Sequence, residues 1–347
     1  MLHDIWFLLI AVLWIGYFVL EGFDFGLGML LPFLGRNDGE RRALINAIGP
    51  VWDGNEVWVL VAGGATFAAF PNWYATLFSG FYMALFLIVV ALILRGVAFE
   101  YRSKRDSARW RLGWDWAIFI GSAVPALLWG VAFANIVGGV PIDAHKEFTG
   151  NLLTLLNPYG LLGGVVTLTL FMTHGAAYIA LKTEGELRAR ANRLLVSIGL
   201  VAALAAVVFL GWTQLSSVVA DSAVVSVVAA VALLGALAAN RLGREGWAFI
   251  ATAATIALAV TALFMHLYPN VMPSSTNPAF SLTVNNAAST DYTLAIMTVV
   301  AVIFMPLVLL YQGWTYWIFR KRVSADRVPD VAAPAAPAGP AAPPAAN

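Results

Sequence analysis

The sequence predicts an all-α integral membrane protein with nine transmembrane helices, and three observations carry that prediction. Of its 347 residues, 61% are hydrophobic and 11% charged, with a mean hydropathy of +0.80; a soluble domain usually carries about a quarter charged residues. Nine segments approach the ~20 apolar residues that a helix needs to span the hydrocarbon core. The connections between them alternate between basic and nearly free of Lys and Arg.

The first segment, Ile5 to Leu31, follows MLHDIW, which lacks the basic start of a secretory signal and leads into too long an apolar run for a signal core, so it reads as a retained helix. Its Gly22 and Gly26 suit close packing against a neighbour. The second, Ala47 to Phe70, carries Pro50 and Gly54, which can distort a helix and open its carbonyls to water. The third and fourth, Trp73 to Val97 and Trp114 to Ile136, are separated by YRSKRDSARWR, a solvated loop that can touch anionic lipid. Tyr159 to Leu181 contains the small-residue run GLLGG, and Leu194 to Leu215, Ser222 to Ala239 and Trp247 to Leu267 follow. Leu294 to Phe319 is the ninth, reached through a Pro-, Ser- and Asn-rich connection, Tyr268 to Tyr292, that can serve as a lid or a docking surface. Trp and Tyr cluster at Asn72 to Tyr74, Trp114 to Trp116 and Tyr311 to Trp317, as interfacial anchors do. Residues 1–323 thus form the membrane domain, and the Ala/Pro-rich tail 324–347 is expected to be disordered.

Every Lys and Arg except Lys146 falls on the connections of one face. The positive-inside rule then puts the amino terminus outside and the carboxyl terminus in the cytoplasm. A net charge of +1 gives no basis for a nucleic-acid partner, and the absence of Cys removes disulfides and thiolate metal sites.

The chemistry lies in four acids inside apolar segments. Glu21 and Asp24 stand three apart in LEGFDFGLGML, and Asp53 and Glu56 three apart in VWDGNEVW, so each pair shares a helix face. An intramembrane carboxylate costs at least about 2.5 kcal/mol. Neither helix supplies a cation to pair with them, and Arg95 counts here among the loop residues. At 1.5 Å per residue the acids descend from roughly 10 Å to roughly 20 Å below the cytoplasmic face, in the order Asp24, Glu21 with Asp53, then Glu56. Such chains mark proton relays, although structural pairing remains the competing explanation for any one acid. His174 and His266 are candidate haem ligands, or hydrogen-bonding residues of the core.

EGFDFGLGML, GRNDGERRALINAIGPVWDGNEVWVLVAGGATFAAFP, FSGFYMALFLIVVALILRGVAFEYRSK, WDWAIFIGSAVPALLWGVAFAN and VMPSST together resemble subunit II of cytochrome bd-type quinol oxidases, over most of the chain to about Phe319. The resemblance implies two four-helix bundles plus one peripheral helix, in a bacterial plasma membrane. It implies a complex that oxidises quinol near the outer face and reduces dioxygen to water. Haem b and haem d, with their ligands, would belong to subunit I, the heterodimer partner; small accessory subunits can attend, and a structural quinone can sit in subunit II. It further implies a proton-uptake route from the cytoplasm with Asp53 as a member, next to Trp52. Glu21 and Asp24 match the acidic motif of the first helix, with secondary roles in hydration or assembly, whereas the family alternates carboxylate and amide at the position of Glu56. No His is required at the position of His174, and the chain is short around helices 6 and 7 relative to longer members. Two other readings stand beside this one: a proton-coupled secondary transporter binding solute at mid-membrane, and a purely structural assembly subunit whose acids are replaceable by amides.

Overall fold

Apolar side chains on every face make α1 (Leu2–Leu34) a central helix, and twenty of its 33 residues are buried. Its 33 residues exceed the ~20 that a span needs, and it stops at Gly35, whose N–H donates to Leu31 O at 3.1 Å. Asn37 then caps the short amphipathic α2 (Asp38–Ile48), accepting from Glu40 N at 2.9 Å. In this computed structural model residues 1–216 and 219–324 are described; the tail predicted to be disordered lies, from residue 325 on, outside them.

The single span expected over Ala47 to Phe70 is broken. Pro50 lacks the N–H that would bond back to the preceding turn, and here the helix breaks: α2 ends at Ile48, residues 49–51 turn, and α3 (Trp52–Ala69) starts anew. The expected third span is likewise divided at Phe81 into α4 (Pro71–Gly80) and α5 (Tyr82–Tyr101). There the Phe148 side chain packs so closely on Gly80 that a Cβ would lie 2.6 Å from Phe148 Cβ. The remaining helices are α6 (Ala108–Gly138), the single turn α7 (Leu152–Leu155), α8 (Pro158–Lys182), α9 (Gly185–Ser216), α10 (Ala220–Arg241), α11 (Glu245–Leu267) and α12 (Asp291–Ile318). Eight of the described helices are long and apolar enough to cross a membrane: α1, α5, α6, α8, α9, α10, α11 and α12. α3 is not among them, because it opens with the polar run Trp-Asp-Gly-Asn-Glu.

α1 packs on α3, α6, α8 and α11, α5 packs on α6, and α8 to α11 pack on one another. α12 lies outside this mass with only Leu294 buried. It is pinned at three levels: Trp6 Nε1 donates to Leu294 O at 3.2 Å, Gln312 and Tyr316 bond into α3, and beyond its end Val323 N donates to Lys182 O at 2.7 Å. At the other end of the bundle the Tyr268 to Tyr292 connection is tied down and does not hang free as a lid. β1 (Asn270–Met272) pairs antiparallel with β2 (Leu282–Thr283), Val140 N donates to Pro273 O at 3.1 Å, and Ser289 N donates to Ala69 O at 2.8 Å.

The α1–α8 crossing depends on glycine. A Cβ on Gly26 would lie 1.9 Å from the Phe171 carbonyl oxygen and 2.9 Å from Gly175 Cα, so both backbones would have to part. Gly26→Ala is expected to lower the melting temperature of the purified protein, at a cost of about 1–3 kcal/mol typical of overpacking. Gly235→Ala, inside α10 where a Cβ meets nothing within 4 Å, should not lower it; equal melting of the two variants would contradict the close crossing.

Candidate functional site

Three of the four acids come together, and a residue assigned to the loops joins them. Arg95, on α5, is fully buried; it forms an ion pair with the fully buried Glu21 of α1 and a second, at 2.9 Å, with Glu56 of α3. This corrects the assignment of Arg95 to the loops: α1 and α3 supply no cation of their own, and the neighbouring α5 does. The two neighbours that carry this guanidinium sideways are aromatic: its Cζ sits 4.7 Å from the Phe25 ring centroid and 5.9 Å from that of Phe99. α6 presses on the same point, since a Cβ on Gly121 would come within 2.7 Å of both Arg95 Cβ and Ala91 O.

Asp24, also fully buried, faces a second set of partners. Its Oδ2 accepts from Asn55 Nδ2 at 2.7 Å. Asn55 Oδ1 in turn accepts from Tyr316 OH at 2.8 Å and Gln312 Nε2 at 3.1 Å, and Gln312 Oε1 accepts from Trp58 Nε1 at 2.9 Å. The polar network therefore joins α1, α3, α5 and α12. Glu21 Oε2, Asp24 Oδ1, and Arg95 Nε and Nη1 are buried without a hydrogen-bonding partner among the described residues, whereas buried polar atoms are normally paired with protein or ordered water.

Asp53 stands apart from this network. It lies exposed in the first turn of α3, directly after the break at residues 49–51, so the expectation that it is buried does not hold for the chain alone. Trp52 beside it is half-buried, with its ring 5.0 Å from that of Phe99 on α5. Asp53 and Glu56 are thus not two members of one buried stripe: one faces out at the helix start, and the other reaches inward one turn on with 24% of its side chain exposed.

Two salt-bridge groups fasten the surrounding rim. Asp115 accepts from Arg102 Nε at 2.5 Å and Arg41 Nη1 at 2.9 Å, and Glu40 pairs with Arg190 at 2.6 Å, so α2 is clamped to α6 and α9. Burial pushes the Glu40 carboxyl up, but Arg190 and the Arg36 N–H at 2.8 Å outweigh it and hold the group below the usual glutamate range. His174 does not fit the role of a haem ligand: Nδ1 is 2.7 Å from Thr252 Oγ1, Nε2 is 3.1 Å from Val19 O, and the ring stacks on Phe249 at 4.7 Å. His266 lies half-buried in the last turn of α11. No cluster of three or more metal-binding side chains occurs among the described residues.

A sequence model of cytochrome bd terminal oxidase subunit II matches residues 2–319. The chain belongs to that family. Among similar proteins, cytochrome bd ubiquinol oxidase subunit 2 of Bacillus subtilis is 44% identical over 93% of this chain and 97% of its own length. Cytochrome bd-I ubiquinol oxidase subunit 2 of Escherichia coli K12 is 42% identical over 94% of this chain and 96% of its own. The solved bd oxidase structure from Geobacillus thermodenitrificans shares the fold, with a TM-score of 0.75 at 17% identity over 92% of this chain and 99% of the matched chain.

This subunit II chain is a component of a membrane-bound oxidoreductase, and it carries its polar site where four helices meet. Sequence reasoning missed Arg95, Asn55, Gln312 and Tyr316. The signal for Arg95 was present, since ALILRGVAF holds one Arg flanked by apolar residues on both sides. Asn55, Gln312 and Tyr316 gave none, because polar amides and tyrosines near helix ends are ordinary.

A second feature is apolar. A cavity of about 340 Å³ lies between α6, α8, α9, α10 and α11, lined by Phe133, Gly163, Phe209, Leu233 and Ile256 among others. The hydroxyls on its wall are spent on backbone carbonyls: Thr167 on Ala126 O at 2.6 Å, Ser226 on Ser222 O at 2.8 Å and Thr255 on Ala251 O at 2.8 Å. The site suits a hydrocarbon chain better than a polar head group.

Proposed function

We infer that this chain is the non-haem subunit of a quinol:oxygen oxidoreductase, that it packs against a haem-bearing subunit I, and that it carries part of the proton-uptake route from the cytoplasm. The observation that carries the proton role is the Glu21–Arg95–Glu56 ion-pair group, with the buried Asp24 on the adjoining Asn55 hydrogen bonds. Glu21 Oε2, Asp24 Oδ1 and two guanidinium nitrogens of Arg95 make no hydrogen bond among the described residues, which leaves polar atoms for water inside the bundle. Carboxyl groups that hold and release protons inside a membrane, with polar atoms still open to bonding, are what a relay requires.

In this reading Asp53 is the entry: exposed on the chain alone, at the cytoplasmic start of α3, it takes up protons from water. Glu56 lies one helical turn, about 5 Å, farther in, and Arg95 links it to Glu21. Trp52 packs on Phe99 and holds the entry turn against α5. The haems of subunit I supply the electron transfer and the oxygen-binding iron; the residues here supply protons and exclude bulk water. The amino terminus lies outside and the carboxyl terminus in the cytoplasm, with nine crossings in two four-helix bundles and α12 peripheral, α3 counting as the ninth despite its polar start. The apolar cavity is the place in this chain for the tail of a structural quinone. Membership of an oxidase family sets the transporter reading aside and leaves the structural assembly subunit as the competitor.

The test is purification through a tag on this chain from its native membrane. Haem b and haem d spectra and quinol-driven oxygen uptake are expected to co-purify with it in constant ratio through successive columns. Haem and activity that separate from the chain would overturn the assignment.

A further inference from the structure

We propose that the cytoplasmic edge of α6 carries a site for one anionic phospholipid, its phosphate held by Arg105 and Arg109 and an acyl chain lying along Gly113, Trp114 and Ala117. The observation is an open cleft of about 510 Å³ lined by Arg105, Ser107, Arg109, Trp110, Gly113, Trp114 and Ala117.

The charges around the cleft are unevenly used. Arg111 takes Asp106 at 2.8 Å and Asp38 at 3.4 Å, and Arg102 and Arg41 take Asp115. Lys104, Arg105 and Arg109 enter no ion pair among the described residues, and the exposed Glu100 on the preceding turn offsets one of the three. The Arg105 guanidinium is already ordered, lying 4.4 Å over the Trp110 ring, and Trp110 Nε1 is anchored on Tyr101 O at 2.9 Å. Stacked this way, the guanidinium keeps its N–H edge free for the bidentate phosphate contact that arginine favours.

The walls decide for a lipid. Residues 110, 113, 114 and 117 follow the helical spacing of one face, so the cleft continues from the basic rim into an apolar groove. Gly113 is the floor of that groove: a Cβ there would meet nothing within 4 Å, which leaves width for a hydrocarbon chain. Trp110 and Trp114, 5.5 Å apart edge to face, stand at the level where tryptophans mark the head-group region. A soluble phosphate needs only the arginines; the continuous apolar wall is complementary to an acyl chain.

Native mass spectrometry of the detergent-purified protein, with whatever subunits accompany it, tests the site by titration with phosphatidylglycerol, phosphatidylcholine and inorganic phosphate. The wild type is expected to retain one phosphatidylglycerol more than R105Q/R109Q and at least tenfold more tightly than phosphatidylcholine. Gly113→Leu keeps both arginines, has an unobstructed Cβ and fills the groove; it is expected to lose the same lipid, while inorganic phosphate fails to compete. Equal retention in wild type and both variants would overturn the site, and competition by inorganic phosphate with no effect of Gly113→Leu would show a phosphate site with no lipid groove. The readout counts bound lipid and is independent of oxidase activity.

Discussion

Asp53→Asn is expected to slow quinol-driven oxygen uptake by the purified complex at least tenfold, at unchanged haem content and unchanged melting temperature. A tenfold loss corresponds to about 1.4 kcal/mol on the limiting barrier. The amide keeps the size and hydrogen-bonding reach of the carboxyl group but cannot carry a proton at neutral pH. Because Asp53 is exposed at the start of α3 and enters no ion pair among the described residues, the change removes no tertiary contact. Asp53→Glu should retain most of the rate, since it keeps a titratable group one methylene longer. Normal turnover in Asp53→Asn would remove this residue from the proton route and leave the structural-subunit reading in possession of the field.

Arg95→Met is expected to act on folding and assembly. Arg95 is fully buried and is the one cation shared by Glu21 and Glu56 among the described residues. Removing one partner of a buried ion pair costs about 3–5 kcal/mol, because the remaining charge stays without compensation. That is a large share of the ordinary margin of roughly 5–15 kcal/mol, so the yield of folded complex should fall steeply. The pairing itself is tested by a second change: Glu21→Gln in the Arg95→Met background should recover a measurable part of the lost melting temperature, as coupled neighbours do. Glu147→Gln, on an exposed loop at the other end of the bundle, should recover none. Recovery by neither would mean that Arg95 is held by its aromatic neighbours Phe25 and Phe99 and not by its acids. Arg95→Lys is expected to fall between, since an ammonium keeps the charge that Nη2 presents to both carboxylates but not the planar guanidinium that lies against Phe25 and Phe99.

Much of the architecture was legible because hydropathy and helix length are local properties. The apolar runs, the interfacial tryptophans and the acids of α1 and α3 can be read directly from neighbouring residues. The same local reading failed at Pro50, where a continuous apolar run concealed a helix end, and at Gly80, where contact with the distant Phe148 accompanies the division of a helix. It failed more seriously at Arg95. The predicted span Trp73 to Val97 already enclosed it, but counted with the basic residues that follow, it looked like part of the loop, whereas its guanidinium turns inward to Glu21 and Glu56.

What the sequence by itself determined is an all-helical membrane protein with carboxyl groups set inside apolar segments, because burial of apolar length and the spacing of residues on a helix follow from composition and period alone. Which of those groups meet was decided only by the tertiary structure. Arg95 stands 39 residues from Glu56, and Gln312 stands 257 from Asn55; whether they touch depends on how far α5 and α12 are rotated and shifted against α1 and α3. Packing sets that rotation, through contacts such as Gly26 against Phe171 and Gly121 against Arg95, where no side chain stands between the backbone of one helix and its neighbour. The same rotation turned Asp53 outward and Glu56 inward, and so divided a pair that their spacing had placed on one face.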